Sequence, residues 1–87
     1  MSEVQAELRR QLEAQWAAYA ATLAGKLDDI DQAARPLRED ASADQAHQAA
    51  EAVRAMSHRL AGSGATFGYA TLGQVARNLE ILCDTIL

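Results

Sequence analysis

Residues 42–68, SADQAHQAAEAVRAMSHRLAGSGATFG, carry the clearest structural pattern of this 87-residue chain. Ser42 followed by Gln45 has the spacing of a capping box, which opens a helix. Gly68 can take the left-handed conformation that closes one. Between these signals apolar or small residues recur at intervals of three and four, which is typical of the buried face of an α-helix. They are Ala46, Ala49, Val53, Met56, Leu60, Gly64 and Phe67.

The preceding segment predicts a second, longer helix with the same periodicity. Pro36 lacks a backbone N–H and disfavours helical geometry at Arg35, so we expect this helix to end near Arg35. It would then have about 30 residues and a length of about 45 Å, with a bend near Gly25 as the alternative. Its apolar positions are Val4, Leu8, Leu12, Trp16, Tyr19, Leu23, Leu27, Ile30, Ala34 and Leu37.

The last segment predicts a third helix. Thr71 and Gln74 offer another capping box, and apolar side chains then follow along one side. Short connections between amphipathic helices favour antiparallel neighbours. We therefore expect one all-α domain over residues 1–87, an antiparallel up-and-down bundle of three long helices, or of four if the first is bent. The apolar side of the third helix contains Leu72, Val75, Ala76, Leu79, Leu82, Cys83 and Ile86.

Composition narrows the class of protein. The 20 alanines and only 5% aromatic residues favour helices packed through small side chains. A net charge of −4 argues against nucleic-acid binding, which needs a basic surface. No apolar run approaches the ~20 residues that span a bilayer, and no secretion signal is visible, so we expect a cytoplasmic protein without membrane contact. The one cysteine, Cys83, cannot form an internal disulfide.

His58 is the candidate reactive residue. On a helical wheel it lies about 160° to 180° from the apolar positions Met56, Leu60 and Phe67, so it should face solvent. A solvated surface histidine is the ordinary explanation of such a position. Glycine inside a helix costs ~1 kcal/mol relative to alanine, however, and Gly62 lies one turn from His58 where no internal packing requires it. The predicted exposed stripe comprises His47, Glu51, Arg54, His58, Ala61, Gly62 and Ala65.

Residues 58–68, HRLAGSGATFG, followed by Leu72, Ala76, Leu79 and Glu80, resemble the signature of histidine-phosphotransfer (HPt) domains. The resemblance implies a four-helix bundle that exposes a histidine phosphorylated on a ring nitrogen. It also implies that the glycine four residues later leaves room for the phosphorylated ring and a docking receiver domain. His58 and Gly62 match these positions. Ala61 stands where many members carry a lysine.

The same resemblance implies a phosphocarrier rather than an enzyme. His58 would accept a phosphoryl group from a receiver-domain aspartate or a histidine kinase, such as a hybrid kinase, and pass it to another receiver. The chain itself would bind no cofactor or metal, and the partner receiver would supply Mg²⁺. Arg54 is better aimed at the phosphate than Arg59, which lies about 100° around the helix. The residues expected to contact phosphate or partner are Arg54, Arg59, Ala61, Gly62 and Ala65.

The rival class is a helical adaptor or dimerisation domain without phosphoryl chemistry, motivated by the long first helix and the absence of a fourth. A homodimer could supply that fourth helix. Trp16 and Tyr19 are expected in the core or at a dimer contact. His47 lies ~16 Å from His58 along the helix, too far to share a metal with it.

Overall fold

The computed structural model describes residues 2–87 and contains three α-helices, α1 (Glu3–Arg38), α2 (Ala43–Thr66) and α3 (Ala70–Ile86). The predicted all-α class is confirmed, and residues 2–87 contain no strand. The alternative of four helices is wrong for this part of the chain, because α1 continues through Gly25 without a break. None of the three helices combines the length and apolarity needed to cross a membrane.

The predicted end of the first helix is wrong, since α1 includes Pro36 and continues to Arg38. Proline removes one N–H from the hydrogen-bond ladder, but here it sits in the last turn of a 36-residue helix. Arg38 reaches back over that turn, where Nη2 donates to the Asp31 carbonyl at 3.1 Å and Nη1 pairs with the Asp31 carboxylate at 3.1 Å. The helix is therefore about 54 Å long rather than 45 Å.

Helix α2 begins and ends where its sequence signals predict. The Ser42 side chain accepts from the Gln45 backbone N–H at 3.1 Å, and Gln45 Oε1 accepts from the Ser42 backbone N–H at 3.0 Å. At the other end Gly68 has φ 85°, and the Tyr69 N–H donates to the Gly64 carbonyl at 2.7 Å. This Schellman arrangement satisfies carbonyls that the helix end leaves free.

The predicted capping box of the third helix is wrong. Helix α3 already begins at Ala70, with Tyr69 at the N-cap position and without a side-chain cap. The turn through Gly68 leads directly into α3, so Thr71 lies inside the first turn. Gln74 Nε2 instead donates to Asn78 Oδ1 at 3.1 Å, one turn further along the helix.

The helices pack antiparallel, with both α1 and α3 against α2. Near the C-terminal end of α2, the buried Tyr19 ring stacks on Phe67 with centroids 4.5 Å apart, and its hydroxyl lies 2.8 Å from Ser63 Oγ. Near the opposite end, Pro36 of α1 and Ala49 of α2 line one groove. The buried hydrophobic residues are Tyr19, Ala49, Ala50, Val53, Leu60, Ala61, Ala76 and Cys83.

The first four turns of α1 project beyond this packed region. Tyr19 is the only buried residue of α1 and packs near the C-terminal end of α2. The large apolar side chains before it are exposed, by 78% at Val4, 57% at Leu8, 38% at Leu12 and 47% at Trp16. The prediction that Trp16 lies in the core is therefore wrong for the single chain.

Two glycines allow α2 and α3 to approach closely. A Cβ added at Gly64 would lie 3.3 Å from the Gly73 backbone nitrogen, and one added at Gly73 would lie 3.2 Å from the Ala61 carbonyl oxygen. Both positions are buried. Because the opposing atoms belong to the backbone, they cannot move aside as a flexible side chain would. This contact sets the position of α3 relative to α2.

Gly64→Ala should therefore destabilise the protein by about 1–3 kcal/mol through overpacking. Chemical denaturation gives the free energy of unfolding. The matched control is Gly25→Ala, where the added Cβ meets no heavy atom within 4 Å and the gain in helix propensity should stabilise the protein by ~1 kcal/mol. Equal stability of the two variants would contradict the close packing at Gly64.

Candidate functional site

His58 projects from the middle of α2 into solvent, with a side-chain exposure of 74%. Its ring is held from one side by α3, where Glu80 Oε1 lies 2.9 Å from His58 Nδ1. Glu80 is largely covered, with 21% side-chain exposure, and its second oxygen is buried without a hydrogen-bond partner among residues 2–87. The exposure predicted for His58 is confirmed, and its orientation is set by a residue of another helix.

The contact with Glu80 distinguishes the two ring nitrogens of His58. An ionised carboxylate only accepts hydrogen bonds, so the Nδ1 that faces Glu80 carries a proton. In the neutral ring the other nitrogen, Nε2, then has a free lone pair. The arrangement presents a nucleophilic nitrogen on the exposed side of the ring and stabilises, through Glu80, the positive charge that develops when Nε2 forms a bond.

Arg54, one turn before His58 on α2, also has a partner on α3. Its Nη1 lies 3.1 Å from Asp84 Oδ1 on α3. Arg54 and His58 are four residues apart on α2, and Glu80 and Asp84 are four residues apart on α3. Because the two helices are antiparallel, the pair His58–Glu80 lies one helical turn from the pair Arg54–Asp84. Two carboxylates of α3 therefore face His58 and Arg54, the arginine predicted to contact the phosphate.

The remaining predicted contact residues divide into two groups. Gly62 and Ala65 are exposed on α2, and a Cβ added at Gly62 would meet no heavy atom within 4 Å. Arg59 is also exposed but lines the groove between α1 and α2, together with Lys26 and Asp29. Arg54, rather than Arg59, therefore lies on the His58 side of the helix.

The expectation that Ala61 belongs to the exposed stripe is wrong. Ala61 is 6% exposed and packs with Leu60 and Ala76 in the core. The large apolar residues of α2 mark only the side that faces α1. Helix α3 covers an adjacent side of α2 through small residues, so a helical wheel based on large residues does not show that this side is buried. The side chain at the position where many HPt domains carry lysine therefore points toward α3.

The roles of Glu80 and Asp84 are not evident from the sequence. Glu80 entered only as part of the family signature, and Asp84 carried no signal of its own. The four-residue spacing shared by Arg54 with His58 and by Glu80 with Asp84 is visible in the sequence. It becomes informative only once the register of α2 against α3 is known.

Two other side chains with reactive groups lie outside this arrangement. His47 Nε2 is 2.8 Å from Glu51 Oε1 one turn away on α2. Cys83 is 2% exposed, and burial raises the pKa of its thiol, which keeps it protonated and unreactive. The expected core position of Cys83 is confirmed.

Comparison with known proteins agrees with the geometry. The family described as the Hpt domain matches residues 2–85, which is nearly the whole chain and includes His58, Gly62 and Glu80. Comparisons with curated proteins and with solved structures each found no match. Hpt domains are phosphocarrier modules that interact with receiver domains and kinases and are not catalytic enzymes. The chain therefore belongs to the Hpt domain family, and phosphotransfer in a phosphorelay is its class of function.

Proposed function

We propose that this protein is a phosphorelay intermediate that accepts a phosphoryl group on Nε2 of His58 and passes it to a receiver domain. One observation carries the proposal: His58 is exposed while Glu80 binds its Nδ1 at 2.9 Å, which leaves Nε2 free on the solvent side. The donor would be a receiver aspartyl phosphate or a histidine kinase, including a hybrid kinase.

The transfer requires few functional groups from this chain. The Nε2 lone pair attacks the phosphorus of the aspartyl phosphate and forms a P–N bond, while the P–O bond breaks and its electron pair remains on the aspartate carboxylate. Glu80 retains the proton on Nδ1 and balances the charge gained by the ring. In the onward step an aspartate oxygen of the next receiver forms the P–O bond, while the P–N bond breaks and its electron pair returns to Nε2. Phosphoryl transfer depends chiefly on positioning and charge neutralisation, and we assign the Mg²⁺ to the partner receiver rather than to this chain.

The surface beside His58 suits a docking protein. Gly62 and Ala65 present almost no side chain there, so a partner can approach the ring without displacing bulky groups. Arg54 lies at the other end of this surface, one turn before His58. We propose that a receiver domain covers Gly62 and Ala65 while Arg54 contributes positive charge at the phosphate.

Incubation with a receiver domain phosphorylated at its aspartate should transfer the label to this protein. Phosphate on a histidine nitrogen is labile in acid and stable in base, which separates it from the acyl phosphate of the donor and from phosphoserine. The expected result is acid-labile, base-stable phosphate on the peptide containing His58. Failure with receiver domains, kinases and the small donor phosphoramidate would contradict the proposed function.

The second candidate function, a dimerisation or adaptor role, is favoured by the exposed apolar side chains of α1. Val4, Leu8, Leu12 and Trp16 form one exposed stripe along α1, and contiguous exposed apolar surface commonly marks an interaction site. A homodimer would bury this stripe against a second copy.

If this stripe mediates self-association, light scattering should show a dimer at high protein concentration. Leu8→Lys should then shift the protein toward the monomer without loss of helicity, because Leu8 is 57% exposed in the single chain. The matched control is Ile81→Lys on α3, which has similar exposure, 55%, but lies outside the stripe. A strict monomer in the unmodified protein would exclude the homodimer.

A further inference from the structure

Two carboxylates of α3 lie on the side of α2 that carries His58. Glu80 contacts the ring itself, and Asp84 lies one turn further along α3. A phosphoryl group adds about −1.5 to −2 charges at neutral pH. Phosphorylation of His58 therefore requires a cation close by, and the carboxylates of α3 compete with the phosphoryl group for it.

Arg54 is placed to neutralise the negative charge of the phosphoryl group. It is four residues before His58 on the same helix, a spacing that brings Cβ atoms within ~5–6 Å. Arg59 is the other nearby basic residue of α2, but it lines the groove on the α1 side with Lys26 and Asp29. Glu80 of α3 contacts the His58 ring, and Arg54 of α2 is paired with Asp84 in the unphosphorylated protein.

The contact between Arg54 and Asp84 is of a kind that exchanges easily. Both side chains are about half exposed, 48% and 52%, and one nitrogen meets one oxygen at 3.1 Å. Exposed ion pairs of this kind contribute little to stability. A phosphoryl group offers three strong acceptor oxygens and matches the forked guanidinium better than a carboxylate oxygen held in one contact.

We propose that Asp84 is a positioning residue that holds Arg54 beside His58 in the unphosphorylated protein and releases it to the phosphoryl group on Nε2. Arg54 thereby takes the charge-neutralising role for which Ala61, buried against α3, has no side chain. Asp84 keeps the guanidinium within reach, and its competition for Arg54 prevents the phosphorylated form from becoming too stable to pass its phosphoryl group on. This inference rests on the proposed phosphorylation of His58.

The test is a double-mutant cycle on the full chain with phosphoramidate as the donor. His58 Nε2 takes the phosphoryl group and ammonia leaves, so ³¹P NMR intensities at fixed ammonia give the equilibrium constant of phosphorylation. Arg54→Gln should lower this constant about 3- to 10-fold, and Asp84→Asn should raise it about 2- to 5-fold. In the Arg54→Gln background, Asp84→Asn should change it little. Arg54→Lys, which keeps the charge, should retain most of the original value.

The control variant is Asp28→Asn, which removes one negative charge from an exposed position on α1 and should leave the constant unchanged. An equal increase from Asp84→Asn in both backgrounds would show direct repulsion of the phosphoryl group and would overturn the role of Arg54. An increase from Asp28→Asn as large as that from Asp84→Asn would overturn it as a net-charge effect. Phosphorylation at His58 without coupling would overturn this inference alone, whereas absence of phosphorylation in the unmodified chain would overturn the proposed function with it.

Discussion

His58→Gln should reduce phosphorylation of the protein to background while leaving its helicity and melting temperature nearly unchanged. The side chain is 74% exposed, and its ring makes a polar contact with Glu80. A glutamine amide can still donate to that carboxylate, but it lacks the nitrogen lone pair that forms the P–N bond. Substitutions at such exposed positions usually change stability by no more than ~0.5 kcal/mol. Circular dichroism and labelling on the same preparation measure both effects.

His47→Gln is the matched control for this experiment. His47 is also an exposed histidine of α2, and it also pairs with a glutamate, Glu51, at 2.8 Å. It differs from His58 in that its glutamate belongs to its own helix rather than to α3. We expect His47→Gln to be labelled normally. Full labelling of His58→Gln, or loss of labelling in His47→Gln, would show that the site is misassigned.

Gly62→Gln should fold normally but lose most phosphotransfer with receiver domains. A side chain at Gly62 enters open space, since an added Cβ meets no heavy atom within 4 Å. Glutamine there would project one turn from His58 and obstruct the partner that must approach the ring. Phosphoramidate is small enough to reach Nε2 past this side chain, so labelling by phosphoramidate should fall much less than transfer from a phosphorylated receiver. The comparison of the two donors separates blocked docking from damaged chemistry.

Two further variants complete this test. Gly62→Ala should stabilise the helix by ~1 kcal/mol, which would confirm that no neighbouring helix requires the glycine. Gly25→Gln places the same side chain at an equally open helical glycine on α1 and should transfer normally. The docking role of Gly62 would be wrong if Gly62→Gln transferred as fast as Gly25→Gln. A loss of stability in both Gly62 variants would instead indicate a packing role.

The local sequence was sufficient to predict the three helices and the exposure of His58. The capping box of Ser42 with Gln45 and the closing Gly68 are local signals, because the groups that bond lie within five residues of one another in the chain. The periodicity of Val53, Met56 and Leu60 likewise reports which side of a helix is buried. The HPt signature from His58 to Gly68 then indicated the family, which the match over residues 2–85 confirms.

Local signals failed where another interaction a few residues away competed with them. Pro36 predicted the end of α1, but the contacts of Arg38 with Asp31 extend it to Arg38. Thr71 and Gln74 have the spacing of a cap, but the turn at Gly68 starts α3 before them. In each case a neighbouring interaction outweighed a preference of modest energy.

Which residues surround His58 depends on how the helices pack against one another. The sequence placed Ala61 in the exposed stripe, because a helical wheel built on large apolar residues locates one buried side and α3 covers another through Gly64 and Gly73. The close approach at these glycines also sets the register of α3. That register places Glu80 against His58 and Asp84 against Arg54, 22 and 30 residues away in the chain. Such pairings depend on how two helices slide past one another, and this is fixed by packing rather than by the spacing within either helix.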